Sequence, residues 1–253
     1  MKHLLSRRNV GVLAEMAFGR VLLAFDFDGT LAPIVVDRGA AKMRPRTSAL
    51  FSKICDVYPC AVISGRSRRD VSSRLGSAST AYIVGNHGLE PSSELASSAR
   101  ITARACPILQ RALVAVAGVD IENKTYSIAV HFRRARRKVE ARTAIEKAVR
   151  GLPLRVRMIA GKQVVNIVPA AAPNKGDALL ELRQLAKADT ALYVGDDVTD
   201  EDVFRLDGPG RLLTVRIGAS RSSGAAYFLR HQGEIDKMLA ELWNLRKGGP
   251  LWR

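Results

Sequence analysis

Four short stretches of the chain are almost continuously apolar and end on small or polar residues. They are RVLLAFDFDG (residues 20–29), CAVISGR (60–66), AYIVGNHG (81–88) and ALYVGDD (191–197). An unbroken apolar run of this length suits a strand covered on both faces, as in a parallel sheet flanked by helices. The segments between them carry helical spacing. TSALFSKICDVY (47–58) sets Leu50, Phe51, Ile54 and Val57 on one side, with Thr47 or Ser48 available as a cap. GDALLELRQLAK (176–187) does the same with Ala178, Leu179, Leu182, Leu185 and Ala186. Alternating β and α elements predict a doubly wound, Rossmann-like α/β sheet. In such a sheet, ligands bind outside the carboxyl ends of the strands, so all four polar endings are expected at one crevice.

Between residues 104 and 173 the alternation breaks, and the pattern reads helix, strand, helix, strand, strand. TYSIAVHF (125–132) places Tyr126, Ile128, Val130 and Phe132 on one face and Thr125, Ser127, Ala129 and His131 on the other. KVEARTAIEKAVRG (138–151) is helical and closes at Gly151; LRVRM (154–158) and GKQVVNIVP (161–169) are strands. Adjacent strands without long crossovers predict a small α+β cap inserted into the core. The expected division is a core of residues 1–103 and 174–253 and a cap of residues 104–173.

With 253 residues, the chain is long enough for a sizeable buried core. Its 40 Lys and Arg outnumber 24 Asp and Glu, a net charge of +16 that suits an anionic partner. A nucleic-acid-binding protein would use such a charge, but aromatic residues are only 6% of the chain and no nucleic-acid module is present. The basic run RRARRK (133–138) reads as a solvated loop and helix start. Three cysteines, Cys55, Cys60 and Cys106, have no metal-ligand spacing. The N-terminal 25 residues are punctuated by Arg7, Arg8, Glu15 and Arg20, unlike a signal peptide, so a cytoplasmic protein is expected.

The strand endings carry the chemistry. Asp26 and Asp28 lie two apart and share a side while the chain is extended; Gly29 then permits a sharp turn. Asp196 and Asp197 end another strand, followed by Asp200, Glu201 and Asp202. Glu201 and Asp202 suit a helix N-terminus. Carboxylates converging on one crevice call for a hard cation, and Mg²⁺ takes a few of them together with water and substrate phosphate. Ser64, Gly65 and Arg66 offer a hydroxyl and backbone N–H groups, and Lys175 offers an ammonium just before a helix. A metal, a lysine and a hydroxyl around an aspartate make a phosphoryl-transfer site, in which the aspartate is the nucleophile and a second carboxylate moves protons.

DFDGT (26–30), Ser64, Lys175 and GDD (195–197) together resemble the motifs of the haloacid dehalogenase superfamily of phosphatases. The resemblance implies that Asp26 is nucleophile and Mg²⁺ ligand. Asp28 would be the acid/base, its backbone carbonyl reaching the metal, while Ser64 and Lys175 hold the transferring phosphoryl group. Asp196 would complete the metal shell, supported directly or through water by Asp197 or Asp200. Across nearly the whole chain, AFDFDGTLAPI, ISGR, GNHGLE, IENKTYSIAVHFR and GDDVTDEDVF resemble the trehalose-6-phosphate phosphatase family. That resemblance implies hydrolysis of a sugar phosphate through an aspartyl-phosphate. It also makes Gly65, Arg66, Asn86, His87, Gly88, Glu122, Lys124, His131 and Asn166 the candidate substrate contacts. GKQVVNIVP departs from the family pattern, with Asn166 and Val168 where a glutamate and a basic residue usually stand. Asparagine still donates and accepts hydrogen bonds, without a carboxylate's charge-assisted strength.

Overall fold

A computed structural model describes residues 1–161, 163–206 and 212–248. The chain first forms β1 (Lys2–His3), α1 (Gly11–Ala17), β2 (Val21–Phe25), α2 (Pro45–Cys55), β3 (Cys60–Ile63), α3 (Arg68–Arg74) and β4 (Tyr82–Val84). It continues with α4 (Leu95–Leu113), β5 (Asp120–Asn123), β6 (Ile128–His131), α5 (Lys138–Arg150), β7 (Val156–Gly161) and β8 (Val164–Pro169). The last part is α6 (Lys175–Leu185), β9 (Thr190–Gly195), α7 (Glu201–Phe204), β10 (Leu212–Ile217), β11 (Tyr227–Leu229) and α8 (Ile235–Lys247). Two compact units result: Met1–Gly88 with Asn174–Arg253, and Leu89–Pro173.

The first unit is a sheet of order β1-β11-β10-β9-β2-β3-β4 whose described pairings are all parallel. Successive residues of its central strands point to opposite sides, and both sides are covered. Leu23, Phe25 and Val62 pack with Phe51 and Ile54 of α2 and Met238, Leu239 and Leu242 of α8. Leu22, Ala24, Ala61, Ile63 and Tyr193 pack with Ala178, Leu179 and Leu182 of α6 and Val203 and Phe204 of α7. This two-sided burial is why the strands read as continuous apolar runs.

The second unit is an antiparallel sheet, β5-β6-β8-β7. Ile128, Val130, Val165 and Ile167 point to α4 and α5, meeting Ala105, Leu109, Ile145 and Val149. The register pairs Glu122 with Ala129, Ala129 with Asn166, and Asp120 with His131. By alternation Glu122, His131 and Asn166 therefore share the sheet face opposite those helices.

The inserted unit opens at Leu89, before the expected boundary at residue 104. Helix α4 runs continuously across that boundary, and its Ala105, Leu109 and Leu113 belong to the unit's own core. Strand β5 was not expected. Its sequence, DIEN, has no apolar alternation, and pairing with β6 is what holds it extended. Neither Thr47 nor Ser48 caps α2. Pro45 starts that helix after an extended Arg44, so Thr47 falls inside the first turn, buried, with its hydroxyl donating to Asp236 at 2.6 Å. Leu185, expected on the buried stripe of α6, is 60% exposed: the stripe passes from Leu182 to Ala186, four residues on, which packs against the same core. Among the basic run, Arg133, Arg134, Arg136, Arg137 and Lys138 are all exposed, and α5 begins at Lys138. Lys162, part of the GKQVVNIVP motif, lies outside the described residues.

Candidate active site

Strands β9, β2, β3 and β4 are consecutive and parallel, so their four polar endings meet at one edge of the sheet. Asp26 follows β2 and its N–H donates to the Val194 carbonyl of β9 at 2.8 Å. The chain then turns back, with the Ala32 N–H donating to the Phe27 carbonyl at 2.8 Å. Gly29 makes that turn at φ +84°, and a Cβ there would sit 2.2 Å from Asp196 Oδ2. Glycine is thus required both by conformation and by the close approach of the β9 acid.

Lys175 is the first residue of α6. The preceding Asn174 accepts from the N–H groups of Gly176 and Asp177, while Asp177 accepts from the Asn174 N–H, a reciprocal capping box. A lysine opposes the helix dipole at this end. What holds it is a pair of buried carboxylates: its Nζ donates to Asp26 Oδ1 at 2.8 Å and to Asp200 Oδ1 at 2.7 Å. Asp200 is fully buried. It also accepts from Tyr193 Oη at 2.6 Å and, through Oδ2, from the N–H groups of Asp196 and Asp197 at 2.8 Å each. Four donors fill the acceptor capacity of its two oxygens.

Three carboxylates, Asp26, Asp196 and Asp200, bring oxygens within 4.8 Å of one another against the single Lys175 ammonium. Burial, reinforced by neighbouring acids, pushes Asp26 up to about 7 and Asp196 up to about 8. For Asp200 burial acts in the same direction, but Lys175, Tyr193 and the Asp197 N–H outweigh it and hold the group below the usual range. Lys175 is raised: its burial is outweighed by Asp200 and Asp26. Asp196 Oδ1 is buried without a hydrogen-bond partner. Excess negative charge and an unpartnered carboxylate oxygen fit a hard divalent cation.

The remaining expected residues divide into groups. Ser64 is buried at the end of β3, its Oγ accepting from the Arg66 N–H at 3.2 Å. Asp28 lies outside the acidic trio, with its two oxygens held by Arg66 Nε at 2.6 Å and Nη2 at 2.7 Å. Asp197 is exposed and contributes its N–H to Asp200. Asn86 and His87 donate their N–H groups to the carbonyls of Arg66 and Ser64, and the His87 ring lies against Gly65. Gly88, at φ +116°, comes so close to Asn174 that a Cβ would sit 2.3 Å from its carbonyl oxygen, which seats this turn against the start of α6. In the inserted unit, His131 Nε2 and Glu122 Oε2 are 2.9 Å apart, and Lys124 occupies the β5–β6 turn. Asn166 sits mid-strand in β8. Glu201 begins α7 and also binds the Gly224 N–H at 2.9 Å.

Sequence reasoning passed over Tyr193, Asn174 and Asp70. A tyrosine in an otherwise apolar core strand signals a buried hydroxyl in need of a partner. Asn174 and Asp177 at capping-box spacing was a legible signal as well.

A family profile described as trehalose-phosphatase matches residues 24–226. The trehalose-phosphate phosphatase of Mycolicibacterium paratuberculosis is 32% identical over 235 residues, covering 87% of this chain and 57% of that protein. The chain thus spans somewhat more than half the length of the curated relatives it matches. Among solved structures, the C. albicans trehalose-6-phosphate phosphatase C-terminal domain superposes with a TM-score of 0.77 at 22% identity, over 93% of this chain and 97% of that one. The Aspergillus fumigatus trehalose-6-phosphate phosphatase gives 0.67 at 26% identity, over 96% and 99%. These matches, over a sheet whose carboxyl edge gathers Asp26, Ser64, Lys175 and Asp196, establish that the chain belongs to the trehalose-phosphatase family.

Proposed function

We propose that the protein is a Mg²⁺-dependent phosphatase that hydrolyses trehalose 6-phosphate to trehalose and phosphate in the cytoplasm. The observation that carries this reading is the buried Asp26–Lys175–Asp200 ion cluster beside Asp196 Oδ1. Asp26 is the nucleophile: an oxygen of its carboxylate attacks phosphorus, and the bond to the sugar 6-oxygen breaks. Asp28 carries the proton, giving it to the leaving oxygen and taking one from the water that then cleaves the aspartyl-phosphate. Lys175 and the Ser64 hydroxyl hold the phosphoryl oxygens. Asp26 and Asp196 would hold Mg²⁺, with Asp200 fixing Lys175 and the strand-end backbone. When bound, the cation neutralises the converging carboxylates and the phosphoryl charge. Arg66, Asn86, His87, Gly88 and, from the inserted unit, Glu122, Lys124, His131 and Asn166 are the proposed sugar-recognition residues. No helix among the described residues is long and apolar enough to cross a membrane.

The test is phosphate release in Mg²⁺ from a panel of sugar phosphates. Trehalose 6-phosphate is expected to be the best substrate, and Asp26→Asn to abolish turnover. Full activity in Asp26→Asn refutes the mechanism. Asn166, a neutral residue on the sheet face opposite the helices of the inserted unit, favours one second reading: a phosphatase of the same type for another sugar or glycerate phosphate. Rates on trehalose 6-phosphate no better than on glucose 6-phosphate would select it.

A further inference from the structure

Arg66 does more than face the site. Its Nε and Nη2 hold both oxygens of Asp28 at 2.6 and 2.7 Å, and its Nη1 donates to Asp70 Oδ2 at 2.8 Å. The other Asp70 oxygen accepts from Arg74 Nε at 2.9 Å. Arg74 Nη1 then reaches out of its own helix to the carbonyls of Gly39 at 3.0 Å and Ala41 at 2.6 Å. A row of alternating charge therefore runs from the DFDGT loop to the backbone of the turn at residues 38–41. Its two arginines are 11% and 16% exposed.

A side-on guanidinium fork fixes the plane of a carboxylate as well as its position. Arginine is itself a long side chain with much rotamer freedom, so a fork is only as well placed as whatever holds its far edge. Asp70 is that hold. It stands in the first turn of α3, where an acid suits the helix dipole and Ser67 caps the backbone, so its side chain is free for Arg66 and Arg74. A mere surface pair between Asp70 and Arg74 would not call for the anchor at Gly39 and Ala41.

We propose that Asp70, backed by Arg74, is a positioning residue for Asp28, acting through the Arg66 guanidinium. This rests on the reading of Asp28 as the proton-moving group. The step served is hydrolysis of the aspartyl-phosphate: a water oxygen bonds to phosphorus, the bond from phosphorus to the Asp26 oxygen breaks, and the water proton passes to the Asp28 carboxylate. Inorganic phosphate leaves and Asp26 is regenerated.

The experiment uses the full chain in Mg²⁺ with 2,4-dinitrophenyl phosphate, whose leaving group departs without protonation, under rapid mixing. Asp70→Asn is expected to release a burst of dinitrophenolate close to one per enzyme and then turn over about tenfold more slowly than the unaltered protein. Asp70→Glu should recover part of the steady rate. A purely structural defect lowers burst and steady rate together, and that outcome overturns the proposal, as does a steady rate within about twofold of the unaltered protein. Asp28→Asn in the same assay separates the two readings. Burst then slow turnover in Asp28→Asn upholds its role and leaves the Asp70 result to judge the inference alone. Unimpaired turnover in Asp28→Asn sinks the reading of Asp28 and the inference with it.

Discussion

Asp200→Asn is the sharpest probe of the buried cluster, because it changes no shape and removes one charge. Asp200 accepts from Lys175, Tyr193 and two backbone N–H groups, with no exposure to solvent. An asparagine can satisfy one side only. With its oxygen toward the N–H groups of Asp196 and Asp197, its amide nitrogen faces the Lys175 ammonium, a donor against a donor. Lys175 is then left with Asp26 alone, and breaking a buried ion pair from one side costs about 3–5 kcal/mol. Tyr193→Phe is the companion variant: it removes one donor to a buried carboxylate and no charge, so about 1.5–3 kcal/mol is expected. Urea denaturation in EDTA measures both without any contribution from bound metal. In a thermal scan, Asp200→Asn should unfold on the order of 10 °C earlier. Phosphatase turnover should also fall by at least tenfold, because Lys175 is no longer held from two sides. If Asp200→Asn unfolds within about 1 kcal/mol of the unaltered protein, no more than Tyr193→Phe, then the charge pairing is not what fixes Lys175.

Two further outcomes follow from the same geometry. Gly29→Ala introduces a side chain at φ +84° and 2.2 Å from Asp196 Oδ2, so the Asp196 carboxylate must move. Titration with Mg²⁺ should show a weakened metal requirement curve, shifted to at least several-fold higher concentration, and an unshifted curve would refute the contact. The metal-free protein should also lose stability as pH rises. Asp26 and Asp196, raised from 3.8 to about 7 and about 8, bind more protons folded than unfolded between those limits. Their contribution is complete below pH 3.8 and is lost as pH climbs through 7 and 8, on the order of 4 kcal/mol for Asp26 alone. Asp200, lowered, acts oppositely and weakens the fold only on acidification. Denaturation midpoints in EDTA at pH 6 and 8.5, with and without added Mg²⁺, check this: rescue by Mg²⁺ should be larger at pH 8.5.

The core was legible because two-sided burial writes itself as unbroken apolar runs. VLLAF, CAVI and TALYVG could hardly be anything but strands between helices, and placing Asp26, Ser64 and Asp196 at their ends followed from topology. Strand β5 was illegible for the converse reason: DIEN buries almost nothing, and only its partner β6 holds it extended. The site separates along the same line. Asp26, Lys175 and the aspartates announce themselves as charges where a core should be. The geometry sorts them further. Asp200 is saturated by four donors and Asp28 is gripped by Arg66, while Asp196 keeps a buried oxygen without a partner. Acids that look alike in sequence thus have different chemistry left to offer. Coordinating capacity is what remains after a carboxylate's hydrogen bonds are counted, and on that count Asp196 has the most to give a cation and Asp200 the least.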